Sequence, residues 1–173
     1  VYAQGNEPVE STEPIVYEKD SLSKDIRQLK LQYRGELEEY RNLENLYLIA
    51  KNQYHKLGTL ASLEDAVQKT QEVMTVRDKV LKTYLRLLRL KLLSQPGIEL
   101  PEKKAAEQSL LSTISKLEQH QQQFEQTLDK PQLNQISEEF EILMEQIEEA
   151  AYQALTVMSI GKLQTIHDKA VLL

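Results

Sequence analysis

The strongest constraint on this chain is a heptad repeat that runs unbroken from Leu22 to Leu57. Its members recur in alternating steps of four and three residues, and all except Glu36 are apolar or aromatic. They are Leu22, Ile26, Leu29, Tyr33, Glu36, Tyr40, Leu43, Tyr47, Ala50, Tyr54 and Leu57. This period keeps one stripe on one side of an α-helix, where it packs against a neighbouring helix. Gly58 follows and readily adopts the left-handed conformation that ends a helix. The pattern therefore predicts a first helix over residues 22–57.

Three further helices are predicted after Gly58. Ser62 can cap the second helix, with Asp65 as its partner in a capping box. That helix must end before Pro96 and Gly97, the strongest helix-breaking pair in the chain. Pro101 suits the first position of a third helix, because its missing N–H would have no partner there in any case. The predicted face of that helix is formed by Ala106, Leu110, Thr113, Ile114, Leu117, Phe124 and Leu128. The turn at residues 129–131 then separates the third helix from the fourth.

The fourth segment carries an apolar stripe with the same alternation of three and four residues. Its members are Leu133, Ile136, Phe140, Leu143, Ile147, Ala150, Ala154 and Val157. Gly161 interrupts the phase, which predicts a kink or a short fifth helix after it. No segment shows the alternation typical of a β-strand. Short connections between amphipathic helices predict an all-α fold, an elongated, coiled-coil-like, antiparallel up-down-up-down four-helix bundle.

The first twenty residues differ from the rest of the chain. They contain Pro8, Pro14 and five acidic residues, and they lack a helical period. This predicts a flexible acidic leader at 1–20 and a single helical-bundle domain at 21–173. Val1 and Ala3, followed by Gln4, match the small-x-small pattern at which secretory signal peptides are cleaved. We therefore expect an extracytoplasmic protein, secreted or at the surface of a bacterial cell.

Composition and motifs argue against several classes of function. The net charge of -6 and the pI of about 5.2 argue against nucleic-acid binding. Without cysteine the chain has no disulfide, no thiolate metal site and no cysteine nucleophile. Glu-x-x-His pairs, HExxH and glycine-rich phosphate loops are also missing. We expect no catalytic residue, no metal and no cofactor, and we interpret His120 as a core or edge histidine. The less favoured alternative is a cofactor held by His120 or His167 with a methionine.

Four tyrosines of the first helix fall at every seventh residue. They are Tyr33, Tyr40, Tyr47 and Tyr54. We interpret them as a structural tyrosine ladder, in which each ring lies in the seam and each hydroxyl reaches the edge between helices. The alternative is an exposed aromatic groove that binds a sugar, a peptide or a partner helix. Residues 46–50 are apolar on every side of the helix, which predicts cover all round at that level, for instance by a second copy of the chain.

A basic run on the second helix supplies the candidate partner or anion contacts. These candidates are Arg77, Lys79, Lys82, Arg86 and Arg89. The favoured interpretation is a solvated face that also suits the helix dipole. Leucines crowd the same segment at 85–94, so contact with an anionic membrane surface, an anionic envelope polymer or an acidic partner stays open. Six glutamates between residues 138 and 149 form an opposing run, and together the two runs predict an electrically lopsided rod.

The favoured hypothesis is a non-enzymatic, extracytoplasmic scaffold, spacer or adaptor that acts through protein–protein contacts at the cell envelope. We expect a protein partner or self-association, and no nucleic acid. The alternative is a ligand-sensing extracellular four-helix-bundle domain of a membrane receptor, with a small anion at Arg77, Lys79 or Arg86. No segment in this sequence is apolar and long enough for a transmembrane helix.

Overall fold

The computed structural model describes residues 19–126 and 130–172. Within them lie four helices and no strand: α1 (Lys19–Leu57), α2 (Leu60–Ser94), α3 (Leu100–Gln126) and α4 (Lys130–Val171). Each helix packs against the next along the chain, so the predicted all-α four-helix bundle is confirmed. None of the helices described is apolar over a long enough stretch to cross a membrane. The leader predicted at residues 1–20 lies outside the described residues, apart from Lys19 and Asp20, which already belong to α1.

Helix α1 ends where its sequence predicts. Its last residue is Leu57, and Gly58 has a φ of 59°. The N–H of Gly58 donates to the carbonyl oxygen of Tyr54 at 2.9 Å, which satisfies one of the free carbonyls at the helix end. The left-handed glycine therefore ends α1 and turns the chain toward α2.

The start of α2 corrects the predicted cap. Thr59, and not Ser62, is the N-cap residue, and its hydroxyl accepts a hydrogen bond from the N–H of Ser62 at 3.2 Å. Ser62 lies three positions into the capped turn, where its own hydroxyl accepts from the N–H of Thr59 at 3.1 Å. The reciprocal pair is a capping box in which serine takes the place of the usual Glu or Gln. Asp65 is not part of it.

Two glycines allow the connector between α2 and α3 to approach α4. Gly97 has a φ of 74°, and a Cβ there would lie 2.6 Å from the carbonyl oxygen of Gly161. A Cβ on Gly161 would in turn clash with the side chain of Ile98. Gly161 is therefore explained by close packing and not by a helix end. Helix α4 continues through it to Val171, so the short fifth helix, one of the two predicted outcomes, is wrong. The other outcome, a kink after Gly161, stays a prediction.

Helix α2 is the central helix of the bundle. It packs against α1, α3 and α4, whereas no Cα atom of α1 comes within 8 Å of one in α3 or α4. Because neighbours cover it on three sides, apolar residues all round α2 are buried. They are Val73, Val76, Val80, Leu85, Leu87, Leu88, Leu90 and Leu92. The leucine-rich stretch of the basic run is thus part of the core.

The core forms two apolar clusters along the α2–α3–α4 interface. The larger one includes Leu85, Leu92, Leu110 and Leu117, all 0% exposed, and each such side chain contributes about 1.5–3 kcal/mol by burial. The smaller one is formed by Phe124, Leu133 and Ile136. The predicted stripes of α3 and α4 supply most of both clusters. Helix α1 adds few fully buried residues, because only one of its sides is covered.

Candidate functional site

A charged group lies in the core where α2, α3 and α4 meet. Asp78 of α2 is 0% exposed and His120 of α3 is 4% exposed. Oδ2 of Asp78 lies 2.5 Å from Nδ1 of His120, and Nε2 of His120 lies 3.1 Å from the carbonyl oxygen of Ile136 in α4. Phe124 meets the imidazole edge-on, with ring centroids 4.9 Å apart. One imidazole therefore joins a carboxylate of α2 to the backbone of α4.

Both ring nitrogens of His120 face oxygen atoms. The backbone carbonyl of Ile136 and the ionised carboxylate of Asp78 can only accept hydrogen bonds. An imidazole donates from both nitrogens only when it is protonated, and its hydrogen positions are inferred from such partners. Both contacts are therefore hydrogen bonds when Nε2 donates to the carbonyl of Ile136 and one proton lies between Nδ1 and the carboxylate of Asp78.

Arg77 adds a second cation to this cluster. Its Nε donates to Oδ1 of Asp78 at 3.3 Å, and its guanidinium carbon lies 3.2 Å from the ring centroid of Phe140. Burial lowers the pKa of Arg77, and the charge of Asp78 opposes that effect. Nη2 of Arg77 is buried without a hydrogen-bond partner among the described residues. Tyr40 of α1 also interacts electrostatically with Arg77, so the cluster extends from α2, α3 and α4 toward α1.

The geometry of the cluster suits a structural role. A catalytic histidine needs a nitrogen that exchanges a proton with a substrate or a nucleophile. Nε2 of His120 is held by the carbonyl of Ile136, and Nδ1 is held by Asp78. Across residues 19–126 and 130–172, no group of three or more His, Asp or Glu side chains is placed to hold a metal ion. His120 is thus a buried core histidine, as expected, and His167 is exposed beside Asp168.

The pairing of Asp78 with His120 is not predicted by the sequence pattern. Asp78 looks like a single acid within a basic run, and that run suggests a solvated face. The available signal is its position two residues from both Val76 and Val80, which are buried on either side of it. In a helix that is apolar all round, a lone acid must be buried too, and a buried carboxylate requires a cation.

A groove opens between α1 and α4 on one side of α2, and we call it the α1–α4 groove. It has a volume of about 320 Å³. Apolar side chains form its floor: Leu63, Ala66, Val67, Met74 and Leu133. Its rim carries the longer polar and aromatic side chains, namely Tyr47, Lys51, Tyr54, His55 and Lys130. The groove exists because α1 and α4 both contact α2 but do not close on each other.

The predicted tyrosine ladder is divided between packing and this groove. The ring of Tyr33 lies 6.0 Å from that of Tyr84 on α2, and Tyr40 donates a hydrogen bond within α1. Tyr47 and Tyr54 line the groove. All four ladder tyrosines are half-buried, since α1 is covered only on the side of α2. The structural role of the ladder as a whole stays a prediction.

Glu36, the polar member of the α1 seam, is only 4% exposed. Its Oε1 accepts a hydrogen bond from Nε2 of Gln32 at 2.9 Å. Its Oε2 is buried without a hydrogen-bond partner among the described residues. The side chain therefore does not reach water, and half of its carboxylate is unsatisfied.

The basic run on α2 is engaged within the protein. Its pairs are Lys79–Glu39 at 3.5 Å, Lys82–Gln121 at 3.1 Å, Arg86–Glu118 at 2.9 Å, Arg89–Glu107 at 2.6 Å and Arg77–Asp78 at 3.3 Å. The first four contacts join α2 to α1 or α3, and the Arg77–Asp78 contact lies within α2. A role of the five residues in binding an anion or a partner stays a prediction.

The acidic run of α4 lies beside the basic run and not at the other pole. Arg77, near the start of the basic run, stacks on Phe140, which lies inside the acidic run. The six glutamates between residues 138 and 149 are exposed, and none forms an ion pair with another described residue. The predicted lopsided rod is therefore wrong, because α2 and α4 run in the same direction.

Comparison of the chain with protein families, with curated proteins and with solved structures finds no match. Function must therefore be inferred from the residues themselves. The buried cluster around Asp78 has the geometry of a structural contact, and the basic run is used internally. The α1–α4 groove and the uncovered side of α1 are two surfaces that could contact another molecule, and the C-terminal half of α4 also exposes apolar side chains such as Ile160, Leu163 and Ile166.

Proposed function

We propose that this chain is a non-enzymatic helical-bundle protein that acts as a scaffold, spacer or adaptor through protein–protein contacts at the cell envelope. The observation that carries the proposal is a set of exposed apolar side chains on α1. Leu46 and Leu48 are each 46% exposed, and Ile49 is 55% exposed. Large apolar groups clustered on a surface are typical of sites that bind another protein.

The position of α1 in the bundle supports this proposal. The sequence predicts cover on all sides at residues 46–50, yet only Ala50 at this level is fully buried. No Cα atom of α3 or α4 comes within 8 Å of a Cα atom on the remaining sides of α1. A partner protein or a second copy would bury the side chains that the bundle leaves in water.

The buried cluster supports the non-enzymatic part of the proposal. Its ionisable groups satisfy one another in the core, and neither nitrogen of His120 is free for proton transfer. The receptor alternative has weaker support, because Arg77, Lys79 and Arg86 already have partners within the protein. Location at the cell envelope depends on the pattern at residues 1–4, which lies outside the described residues, and it stays a prediction.

Site-specific cross-linking in whole cells tests the proposal. A photoreactive residue in place of Ile49 should form a covalent adduct with a protein in the envelope fraction. Gln28, which is exposed on the same helix, is the matched control position and should give no adduct. The variant Leu46→Gln/Leu48→Gln, carrying the same photoreactive residue, should lose the adduct while its circular dichroism stays unchanged. Equal labelling at both positions, or adducts only in the cytosolic fraction, would contradict the proposal.

A further inference from the structure

We propose that the α1–α4 groove binds an acidic amphipathic helix of a partner protein. This inference rests on the proposed function and assigns a site and a partner chemistry to it. The groove combines an apolar floor with a cationic rim, so its occupant must present apolar side chains inward and carboxylates at the edges.

The apolar floor accepts the inward side chains. Val67 and Met74 of α2 and Leu133 of α4 face a space of about 320 Å³. Leu48 of α1, which is 46% exposed, lies one helical turn from Lys51 on the rim, and the exposed residues Ile49 and Leu46 continue from it round the uncovered side of α1. The groove and the uncovered side of α1 thus form one continuous surface, and this extends the apolar area beyond the groove itself.

The charged side chains on the rim of the groove, among the residues that the structure describes, are two lysines. They are Lys51 and Lys130, and no described Asp or Glu side chain lines the groove. This is unexpected in a chain with 27 acidic and 21 basic residues. Nζ of Lys51 lies 5.7 Å from the ring centroid of Tyr47, and Nζ of Lys130 lies 5.2 Å from that of Tyr54.

These ammonium groups differ from those of the basic run on α2. Neither Lys51 nor Lys130 has a carboxylate of a described residue within 4.0 Å. Both are exposed and are held over tyrosine rings by cation–π contacts. They are therefore available to pair with the carboxylates of a partner, and such complementary charges at a rim favour the matching partner.

The shape of the α1–α4 groove favours an α-helix as its occupant. Two helices that pack on a third without contacting each other leave a space parallel to their axes, and an amphipathic helix docks its apolar face into such grooves. The groove follows α1 from Tyr47 to His55, which is more than two helical turns. A partner helix would contact α1 and α4 at once.

A pair of labelled peptides tests the inference on the full chain. The probe is a helical peptide of about 20 residues with leucine on one face and glutamate elsewhere, and its twin has glutamine in place of glutamate. Fluorescence anisotropy at low ionic strength should show that the acidic peptide binds about tenfold more tightly than its twin. Lys51→Glu/Lys130→Glu should weaken the acidic peptide about tenfold or more, and Lys51→Gln/Lys130→Gln should weaken it less.

Lys162→Glu/Lys169→Glu is the control, because it makes the same charge change at exposed positions of α4 away from the groove. It should leave the affinity of the acidic peptide unchanged. Equal binding of the two peptides, or an equal loss in the control, would overturn the inference. Heparin or vesicles with anionic lipid that bind with the same dependence on Lys51 and Lys130 would also overturn it, since the rim would then select any polyanion.

The two proposals fail in different ways. If the Ile49 cross-link forms in cells but the peptides do not discriminate, the protein-binding function stands and the acidic helix is wrong. If the peptides discriminate but no adduct forms in cells, the groove chemistry stands and the proposed function is wrong. A photoreactive residue at His55 should label a partner segment rich in Asp and Glu, and a neutral or basic segment there would contradict the inference.

Discussion

Removing one member of the Asp78–His120 pair should destabilise the protein severely. In His120→Leu the carboxylate of Asp78 stays buried at 0% exposure and keeps only the 3.3 Å hydrogen bond from Arg77. The carbonyl oxygen of Ile136 loses the imidazole donor as well, although it keeps its place in the hydrogen-bond pattern of α4. Breaking a buried pair in this way costs about 3–5 kcal/mol. That is a fifth or more of the roughly 5–15 kcal/mol by which a domain is stable.

Urea unfolding followed by circular dichroism measures this cost. With a slope of about 2 kcal/mol per molar urea, the midpoint of His120→Leu should fall by about 1.5–2.5 M. Adding Asp78→Leu removes the stranded charge, so the double variant should be more stable than His120→Leu alone. The coupling energy from the double-mutant cycle should be at least about 2 kcal/mol. Glu118→Gln, which breaks the exposed pair with Arg86, is the control and should cost at most about 1 kcal/mol.

Two results would refute this reasoning. A cost below about 1 kcal/mol for His120→Leu would mean that water reaches Asp78 and solvates it. A double variant whose loss equals the sum of the two single losses would mean that Asp78 and His120 do not interact in solution.

Three other predictions follow from single residues. Gly35→Ala should raise the unfolding free energy by about 0.5–1 kcal/mol, since a Cβ there meets no atom within 4 Å. Gly161→Ala should lower the unfolding free energy, because its Cβ would clash with Ile98 in the connector between α2 and α3. Thermal unfolding measures both, and shifts of the same sign would contradict the packing. Glu36→Leu should raise the unfolding free energy, measured by urea unfolding, by about 1 kcal/mol or more, because it removes an unsatisfied buried oxygen. A lower unfolding free energy would mean that this oxygen has a partner. Burial raises the pKa values of Tyr40 and Tyr84 above the usual value of about 10. Above that pH the folded state keeps protons that the unfolded state loses, so the free energy of unfolding falls as the pH rises further. Absorbance at alkaline pH should show two late-titrating phenols, one of which Tyr40→Phe removes; no late phase would contradict the burial.

The seams of the outer helices follow directly from the sequence. Leu110 and Leu117 of α3, and Ile136 and Ala154 of α4, lie on stripes that the three-and-four spacing predicts, and all four are buried. Such spacing is sufficient when one side of a helix faces the core. The role of Gly58 could also be predicted, because a residue in the left-handed conformation commonly ends a helix and glycine adopts that conformation most readily.

The central position of α2 could not be predicted from one stripe. Residues are buried on every side of α2, so the spacing of its apolar residues does not indicate one buried face. The stretch from Leu85 to Leu92 resembles a membrane-surface helix as much as a core helix. Whether such leucines are covered depends on which helices surround them, and that is a property of the whole bundle. Asp78 could not be interpreted for the same reason: its partner His120 lies 42 residues away on another helix.

Different helices carry the buried polar contact of the core and the exposed surface that we propose for binding. The contact from Asp78 through His120 to Ile136 joins α2, α3 and α4 without any residue of α1. Helix α1 packs closely against α2 alone and meets α4 through Lys130, which lies over the ring of Tyr54. It carries exposed apolar residues and most of the groove rim. Segments with few buried contacts open most easily, and a ligand that binds the closed form stabilises it. A partner that contacts α1 and α4 together would supply the interface that these two helices lack, so its binding and the stability of α1 must be linked.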